Sequence, residues 1–98
     1  MFVILTSKPG QYRTEAGDGL RPCEAYDYLF YGQKKARFVI AELLGQARVR
    51  IVDEAPPPVV NDIPCKFLEK FPTVEAARKQ LNDLVSFGRA NAALIRLP

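Results

Sequence analysis

The chain has 98 residues, of which 48% are hydrophobic and 26% are charged, and its formal net charge is +3. This composition is typical of one globular domain, and it argues against a disordered chain and against two separate domains. The small positive charge by itself decides little about a nucleic-acid role. The longest apolar stretch is far shorter than the roughly 20 residues of a membrane-spanning helix, so we expect a soluble, cytoplasmic protein that does not enter a membrane.

The N-terminal segment is predicted to form two strands. The apolar, β-branched run at 2–7 is typical of a strand. The sequence SKPG at 7–10 places Pro and Gly where a turn favours them, so a second short strand is expected at 11–14.

A loop and an aromatic strand are expected next. The loop covers 15–22 and contains Gly17, Asp18 and Gly19 as turn residues rather than as a nucleotide-binding motif. The segment at 24–31 fits the spacing of a strand and also that of a helix. We predict a strand, because Gly32 and a β-branched run follow it.

Residues 37–44 and 47–53 are predicted to be two strands that pair with each other. The dipeptide between them, Gly45-Gln46, suits a two-residue type II′ turn, which places glycine first. In the resulting hairpin Leu44 would lie opposite Ala47.

The C-terminal part is predicted to contain a loop, a helix and a last strand. Four prolines within 55–64 indicate an extended loop. The helix would begin after Thr73, a good N-cap, and end before Gly88, which suits the residue that terminates a helix. The last strand is expected at 91–97. The apolar stripe of the helix consists of Val74, Ala77, Leu81, Leu84 and Val85.

This order of elements predicts a single α+β domain that spans residues 1–98. We expect a mostly antiparallel, curved sheet packed against one principal C-terminal helix, with the last strand after the helix.

The predicted hairpin has one apolar face for the core and a second face that is too apolar to be fully solvated. If the turn at 32–35 has an even number of residues, aromatic side chains of the preceding strand join the second face; with an odd number, Leu29 and Tyr31 join it instead. The candidate interaction face therefore consists of Tyr26, Tyr28, Phe30, Arg37, Val39, Leu43, Arg48 and Arg50.

Three interpretations of the candidate interaction face remain open at this point. Other parts of the chain could cover it, with arginine stems packed along the sheet. It could be a protein interface, since Tyr, Phe and Arg are enriched at interface hot spots. It could also stack the bases of single-stranded nucleic acid. In that case the phosphate contacts would be Lys34, Lys35, Arg37, Arg48 and Arg50.

The reactive side chains of the sequence restrict its chemistry. Cys23 and Cys65 are the only cysteines and there is no histidine, so a zinc site and a Cys–His or Ser–His catalytic pair lack their ligands or base. We predict two reduced, partly buried thiols, no metal and no cofactor. The predicted function is a non-enzymatic binding or accessory module with a protein partner or a second copy. The alternatives are a single-stranded nucleic-acid-binding protein and an enzyme that uses scattered carboxylates or tyrosines.

Overall fold

A computed structural model describes residues 1–87 and 91–98, and these residues form seven strands and one α-helix. The α+β fold with antiparallel sheets, one C-terminal helix and a last strand after the helix is confirmed. The strands are β1 (Phe2–Ser7), β2 (Tyr12–Ala16), β3 (Leu20–Phe30), β4 (Gln33–Leu43), β5 (Arg48–Asp53), β6 (Val60–Pro64) and β7 (Ala92–Arg96). A 3₁₀ turn covers Cys65–Phe67, and the helix α1 covers Val74–Phe87.

The strands lie in two sheets rather than one. The first sheet has the order β1-β4-β3-β7 and the second has the order β2-β5-β6, and the pairs are antiparallel. The predicted hairpin between β4 and β5 is therefore wrong. Each of these two strands is already flanked by two neighbours in its own sheet, and residues 44–47 carry the chain from one sheet to the other. A turn signal in the sequence is local and does not identify the strand that will occupy each edge.

A hairpin does form between the preceding strands, β3 and β4. Tyr31 and Gly32 have φ angles of 53° and 76°, as a two-residue type I′ turn requires. Phe30 lies opposite Gln33, but Tyr28 lies opposite Ala36, so β4 contains one extra residue. This β-bulge shifts the register of the remaining pairs by one residue, and Tyr26 therefore lies opposite Phe38.

A second bulge lies in β3. Pro22 is opposite Ala41 and Glu24 is opposite Ile40, which leaves Cys23 as the extra residue. Because side chains alternate between the faces of a strand, the bulge changes which side of the sheet the later residues occupy. It places Glu24 on the same face as Ile40.

The four-stranded sheet is covered on both faces. On one face α1 closes a core made of Ile40, Phe71, Ala77 and Leu81. On the other face the second sheet closes a core made of Val3, Leu5, Leu20, Ala41, Val49 and Cys65. Two apolar layers thus share the central strand β4, and a domain of this size can bury a usable core in this way.

The predicted start of the helix is confirmed, since Thr73 Oγ accepts a hydrogen bond of 3.0 Å from the backbone N–H of Ala76. Ala77 and Leu81 are fully buried as predicted, but Leu84 is 45% exposed, so its place in the core stripe is wrong. Gly88, the predicted end of the helix, lies outside the described residues.

Two predicted loops are shorter than expected. The loop at 15–22 is reduced to residues 17–19, and the second half of the proline-rich loop at 55–64 is the strand β6. Proline is tolerated in β6 because this strand lies at a sheet edge and Pro64 is its last residue. Gly17 lies so close to β5 that an added Cβ would be 2.5 Å from the carbonyl oxygen of Arg48.

Candidate functional site

The structure does not bring the candidate interaction face together on one surface. Tyr26 lies on the side of the four-stranded sheet that α1 covers, and Tyr28 and Phe30 follow it on the same face of β3. Val39 and Leu43 pack between the two sheets, so the chain itself covers the aliphatic part of the predicted face. The face was assembled from a hairpin that does not form and from a register that the bulge changes.

Arg48 and Arg50 belong to the other sheet. Both are exposed, and they alternate along β5 with Val49, which faces the four-stranded sheet. Arg48 donates a hydrogen bond of 3.1 Å to the backbone carbonyl of Asp62, and Arg50 lies 3.6 Å from the carboxylate of Asp62. These two arginines are thus separated from the aromatic residues with which the sequence analysis grouped them.

The remaining predicted anion contacts have partners within the four-stranded sheet. Arg37 Nε donates a hydrogen bond of 2.8 Å to Asp27, and Lys34 Nζ lies 3.4 Å from the same carboxylate. The hydrogen bond from Arg37 holds the pKa of Asp27 below its usual value. Lys35 donates to the side-chain oxygen of Gln33 at 3.3 Å. Arg37 and Lys34 therefore balance a carboxylate of their own chain.

A buried carboxylate connects the helix to the four-stranded sheet. Arg78 Nε donates hydrogen bonds of 2.8 and 3.1 Å to the two carboxylate oxygens of Glu24, and Tyr26 donates its hydroxyl hydrogen at 2.5 Å. Arg96 on β7 lies 3.5 Å away. We call Glu24, Tyr26, Arg78 and Arg96 the Glu24 cluster. It joins β3, α1 and β7 through one carboxylate.

The ionisation of the Glu24 cluster argues against an acid–base role. The hydrogen bonds from Arg78 outweigh the effect of burial and lower the pKa of Glu24 to about 2. Burial and the hydrogen bond to Glu24 raise the pKa of Tyr26. A general acid or base works best when its pKa lies near the working pH, so neither group is suited to proton transfer near neutrality. We interpret the cluster as a structural anchor.

A concave surface lies where the two sheets are linked. It has a volume of about 620 Å³ and contains three cationic side chains and no acidic one. We call it the basic cleft. Its lining residues are Leu43, Gly45, Gln46, Ala47, Arg48, Pro64, Cys65, Lys66 and Lys70.

Backbone hydrogen bonds hold the two walls of the basic cleft together. The N–H of Cys65 donates to the carbonyl of Ala47 at 2.9 Å, which fixes the 3₁₀ turn against the link between the sheets. The ammonium group of Lys70 donates to the carbonyls of Cys65, Lys66 and Leu68 at 3.3–3.4 Å. Lys70 is therefore positioned by the turn and adds a fixed positive charge to the cleft.

Two apolar side chains adjoin the basic cleft in the sequence and are strongly exposed. Leu44 is 62% exposed and Phe67 is 72% exposed. Lys66 Nζ lies 5.3 Å from the centre of the Phe67 ring, a cation–π distance. The lining itself adds the apolar residues Leu43, Ala47 and Pro64 to the positive charge of the cleft.

Sequence reasoning identified only Arg48 among the three cations of the basic cleft. Lys66 and Lys70 are four residues apart in the segment CKFLEKF, and no local pattern in the sequence groups them with Arg48. Their approach to Arg48 depends on the pairing of β5 with β6, which places Arg48 opposite Pro64 directly before the turn. In the sequence, the one indication of this group of cations is that basic residues lie on both sides of the proline-rich segment at 55–64.

Both cysteines are free thiols, but their environments differ. Cys65 is buried at the wall of the basic cleft, and burial raises its thiol pKa. Cys23 is exposed at the bulge in β3, contrary to the predicted partial burial. Within the described ranges, no three Cys, His, Asp or Glu side chains are grouped so that they could hold a metal ion.

Comparison with known proteins finds no matching family model, no matching curated protein and no matching solved structure. In the part of the chain that the structure describes, no helix combines the length and the apolar character needed to cross a bilayer.

Proposed function

We propose that the protein is a non-enzymatic binding module that holds an acidic segment of a partner protein in the basic cleft. The observation that carries this proposal is the charge distribution: Arg48, Lys66 and Lys70 line one concave surface without any carboxylate. Elsewhere, the arginines Arg13, Arg21, Arg37 and Arg78 each form an ion pair with an acidic residue. Among the described residues, the lining of the basic cleft combines three cations with no carboxylate, although Arg48 also borders a second cavity that Glu15, Asp18 and Asp62 line.

The size and lining of the cleft suit a short peptide segment. A volume of about 620 Å³ lies in the range of ligand pockets. Carboxylates of Asp or Glu would accept charge-assisted hydrogen bonds from Arg48 and Lys66. Phe67 and Leu44 provide exposed apolar area of the type found at protein interfaces. The preferred ligand is therefore acidic and partly apolar.

Single-stranded nucleic acid is the competing ligand class, and the geometry gives it less support. A stacking platform needs aromatic faces beside the cations. Tyr26, Tyr28 and Phe30 lie in the other sheet from Arg48, which leaves Phe67 as the exposed aromatic side chain beside the cleft. One aromatic residue provides little stacking surface for consecutive bases.

The test is a fluorescence anisotropy titration with two labelled probes of equal net charge. One is a short peptide in which Glu alternates with Leu, and the other is a single-stranded oligonucleotide. We expect the peptide to bind more tightly, and its affinity to fall as the salt concentration rises through about 0.15 M because surface charges are screened. Tighter binding of the oligonucleotide would favour the nucleic-acid function instead.

A pair of matched variants shows whether the cleft is the binding site. Lys66→Gln removes a cation of the cleft, and we expect it to weaken peptide binding about threefold, the effect of one partly exposed ion pair. Lys35→Gln removes the same charge from the hairpin between β3 and β4 and should leave the affinity unchanged. Equal weakening by both substitutions would show that only net charge matters and would overturn the proposed site.

A further inference from the structure

The edges of the two sheets differ in how they are protected. A β-strand at a sheet edge exposes backbone N–H and C=O groups that can pair with another chain, and native proteins usually cover or interrupt such edges. The edge of β1 is covered at one end by Phe71, which exchanges two backbone hydrogen bonds of 2.8 Å with Phe2. At its other end Ser7 Oγ accepts a hydrogen bond of 2.8 Å from the N–H of Thr14, which connects β1 to β2.

The edge strand β6 is interrupted in a different way. It follows three consecutive prolines and ends at Pro64, and proline cannot donate a backbone hydrogen bond. Its central residues, Asn61 and Asp62, are polar and exposed, and Asp62 pairs with Arg50 of the neighbouring strand. Prolines and polar side chains of this kind discourage pairing with a further strand.

None of these devices is present on β7 in the described part of the chain. Its sequence, AALIR, has no proline, and its one charged residue, Arg96, lies beside Glu24 of its own chain. No strand pairs with its outer edge among the described residues. The outer edge of β7 is thus the unprotected edge of the four-stranded sheet.

The backbone groups on this outer edge can be identified from the register. The N–H of Leu97 donates to Ala25 at 2.8 Å, and the N–H of Tyr31 donates to Asn91 at 3.0 Å. In an antiparallel pair, successive residues direct their backbone groups alternately toward and away from the partner strand. Odd-numbered residues of β7 therefore bond to β3, and Ala92, Leu94 and Arg96 direct their N–H and C=O groups outward.

We propose that two copies of this chain associate through β7, so that their four-stranded sheets join into one continuous sheet across a two-fold axis at Leu94. In this register Leu94 lies opposite its own equivalent, and Ala92 lies opposite Arg96 of the second copy. Each of these pairs exchanges two hydrogen bonds, which satisfies all the outward backbone groups of the strand. The arrangement is isologous, as closed dimers require.

The side chains of β7 are compatible with this self-pairing. On the face opposite α1, Ala93 would lie opposite Ile95 of the second copy, and both are exposed in the single chain, Ile95 by 49%. An aliphatic pair in this position is favourable. Arg96 lies opposite the uncharged Ala92 of the second copy, so the pairing does not place like charges opposite each other.

The helix provides a second argument for a copy of the same chain as the occupant. Leu81 and Asn82 line a small cavity together with Leu94, so the C-terminal half of α1 lies over β7. Leu84 is on this half of the helix and is 45% exposed although the sequence places it in the apolar stripe. A two-fold axis at Leu94 would place the helices of both copies on the same side of the joined sheet, so that their exposed apolar side chains would share one surface.

The test combines sedimentation equilibrium with two oppositely charged variants. Ala93→Lys/Ile95→Lys places lysines opposite each other across the axis in both pairs, and Ala93→Glu/Ile95→Glu places glutamates there. We expect a concentration-dependent dimer for the wild-type chain and at least a tenfold weaker dimer for each variant alone, because like charges directly opposite are destabilising. Mixed together, the two variants should form a heterodimer, since each lysine then faces a glutamate.

Each outcome of this experiment decides the proposal. A wild-type chain that is monomeric at all concentrations would overturn it, as would a wild-type dimer that both charged variants leave intact. A dimer that the variants break but that the mixture does not restore would show that the pairing register is wrong. The substituted positions are exposed, and circular dichroism of each variant checks that it folds.

The experiment is independent of the proposed function. The basic cleft lies at the link between the sheets, and its lining includes no residue of β7. The lysine and glutamate variants should therefore bind the acidic peptide through the cleft with its local geometry unchanged, and Lys66→Gln should leave the dimer unchanged. Failure of either proposal can thus be recognised without the other.

Discussion

The Glu24 cluster and the basic cleft differ in whether a carboxylate of the same chain balances their positive charge. In the Glu24 cluster two arginines approach one buried carboxylate from different elements of the fold. In the basic cleft three cations share one surface and none of the lining residues is acidic. Charge that is balanced within the chain contributes to the stability of the fold, whereas charge that is not balanced there is available to a ligand. This comparison assigns a structural role to the first region and a binding role to the second.

The largest expected effect is the loss of the Glu24 carboxylate. Glu24→Gln removes the charge-assisted hydrogen bonds from Arg78 and Tyr26, and we expect it to lower the free energy of unfolding by about 2 kcal/mol. In a domain of this size that corresponds to a melting temperature lower by roughly 10 °C. Thermal and urea denaturation followed by circular dichroism measure both quantities.

The matched control for this substitution is Glu15→Gln. Glu15 also pairs with an arginine, Arg13, but both side chains are about half exposed, so the expected change in the free energy of unfolding is below about 0.5 kcal/mol. If the two substitutions lower the free energy of unfolding by the same amount, the Glu24 cluster contributes no more than a surface ion pair. The contrast with the basic cleft would then fail.

The pH dependence of stability provides a related prediction. Because the pKa of Glu24 is lowered to about 2 in the folded chain from an ordinary value of 4.5, the unfolded chain binds its proton first. The stabilisation is therefore fully present above about pH 4.5 and is lost as the pH falls toward 2. We expect the difference in unfolding free energy between the wild type and Glu24→Gln to shrink over this range. A difference that is constant from pH 7 to pH 2 would contradict the ionised state of Glu24.

The contact between Gly17 and β5 depends on close packing rather than on charge, and a pair of glycine substitutions tests this. In Gly17→Ala the new Cβ would lie 2.5 Å from the Arg48 carbonyl oxygen, so β2 or β5 must move, at an expected cost of about 1–2 kcal/mol. Gly45→Ala is the control, because no atom lies within 4 Å of an added Cβ. The alanine also reduces the conformational entropy of the unfolded chain, which favours the folded state. We expect the free energy of unfolding of Gly45→Ala to be unchanged or slightly higher.

The elements of the fold were predictable from local patterns, but the pairing of the strands was not. Thr73 and the buried positions Ala77 and Leu81 follow from capping preference and helical spacing, which involve only neighbouring residues. The turn signal at Gly45-Gln46 is equally local, yet the strands on either side of it belong to different sheets. Which strand occupies an edge depends on distant residues such as those of β1 and β2, and no pattern in 37–53 contains that information.

The candidate site was less predictable than the fold because two bulges determine it. The extra residue in β4 moves Tyr26 from the face of Arg37 to that of Phe38, and the extra residue at Cys23 moves Glu24 to the side of α1. A shift of one residue exchanges the two faces of a strand, so a prediction based on alternation becomes wrong beyond the bulge. Lys66 and Lys70 were missed for a different reason, since their approach to Arg48 requires the pairing of β5 with β6.

The smallest expected effect concerns the stability of the basic cleft itself. Since the cleft holds three cations and no acidic side chain, Lys66→Gln removes repulsion, breaks no ion pair and loses only the cation–π contact with Phe67, whose ring is 72% exposed. We expect the free energy of unfolding to rise by about 0.3 kcal/mol at low ionic strength and to be unchanged at high salt, where surface charges are screened. The expected change in the free energy of unfolding is thus opposite in sign to that of Glu24→Gln, although each substitution replaces one charged group by a neutral amide. Urea denaturation at two salt concentrations measures this change in the free energy of unfolding. A substantial loss of stability in Lys66→Gln would mean that Lys66 stabilises the fold. The cleft would then have no free charge to attract an acidic partner.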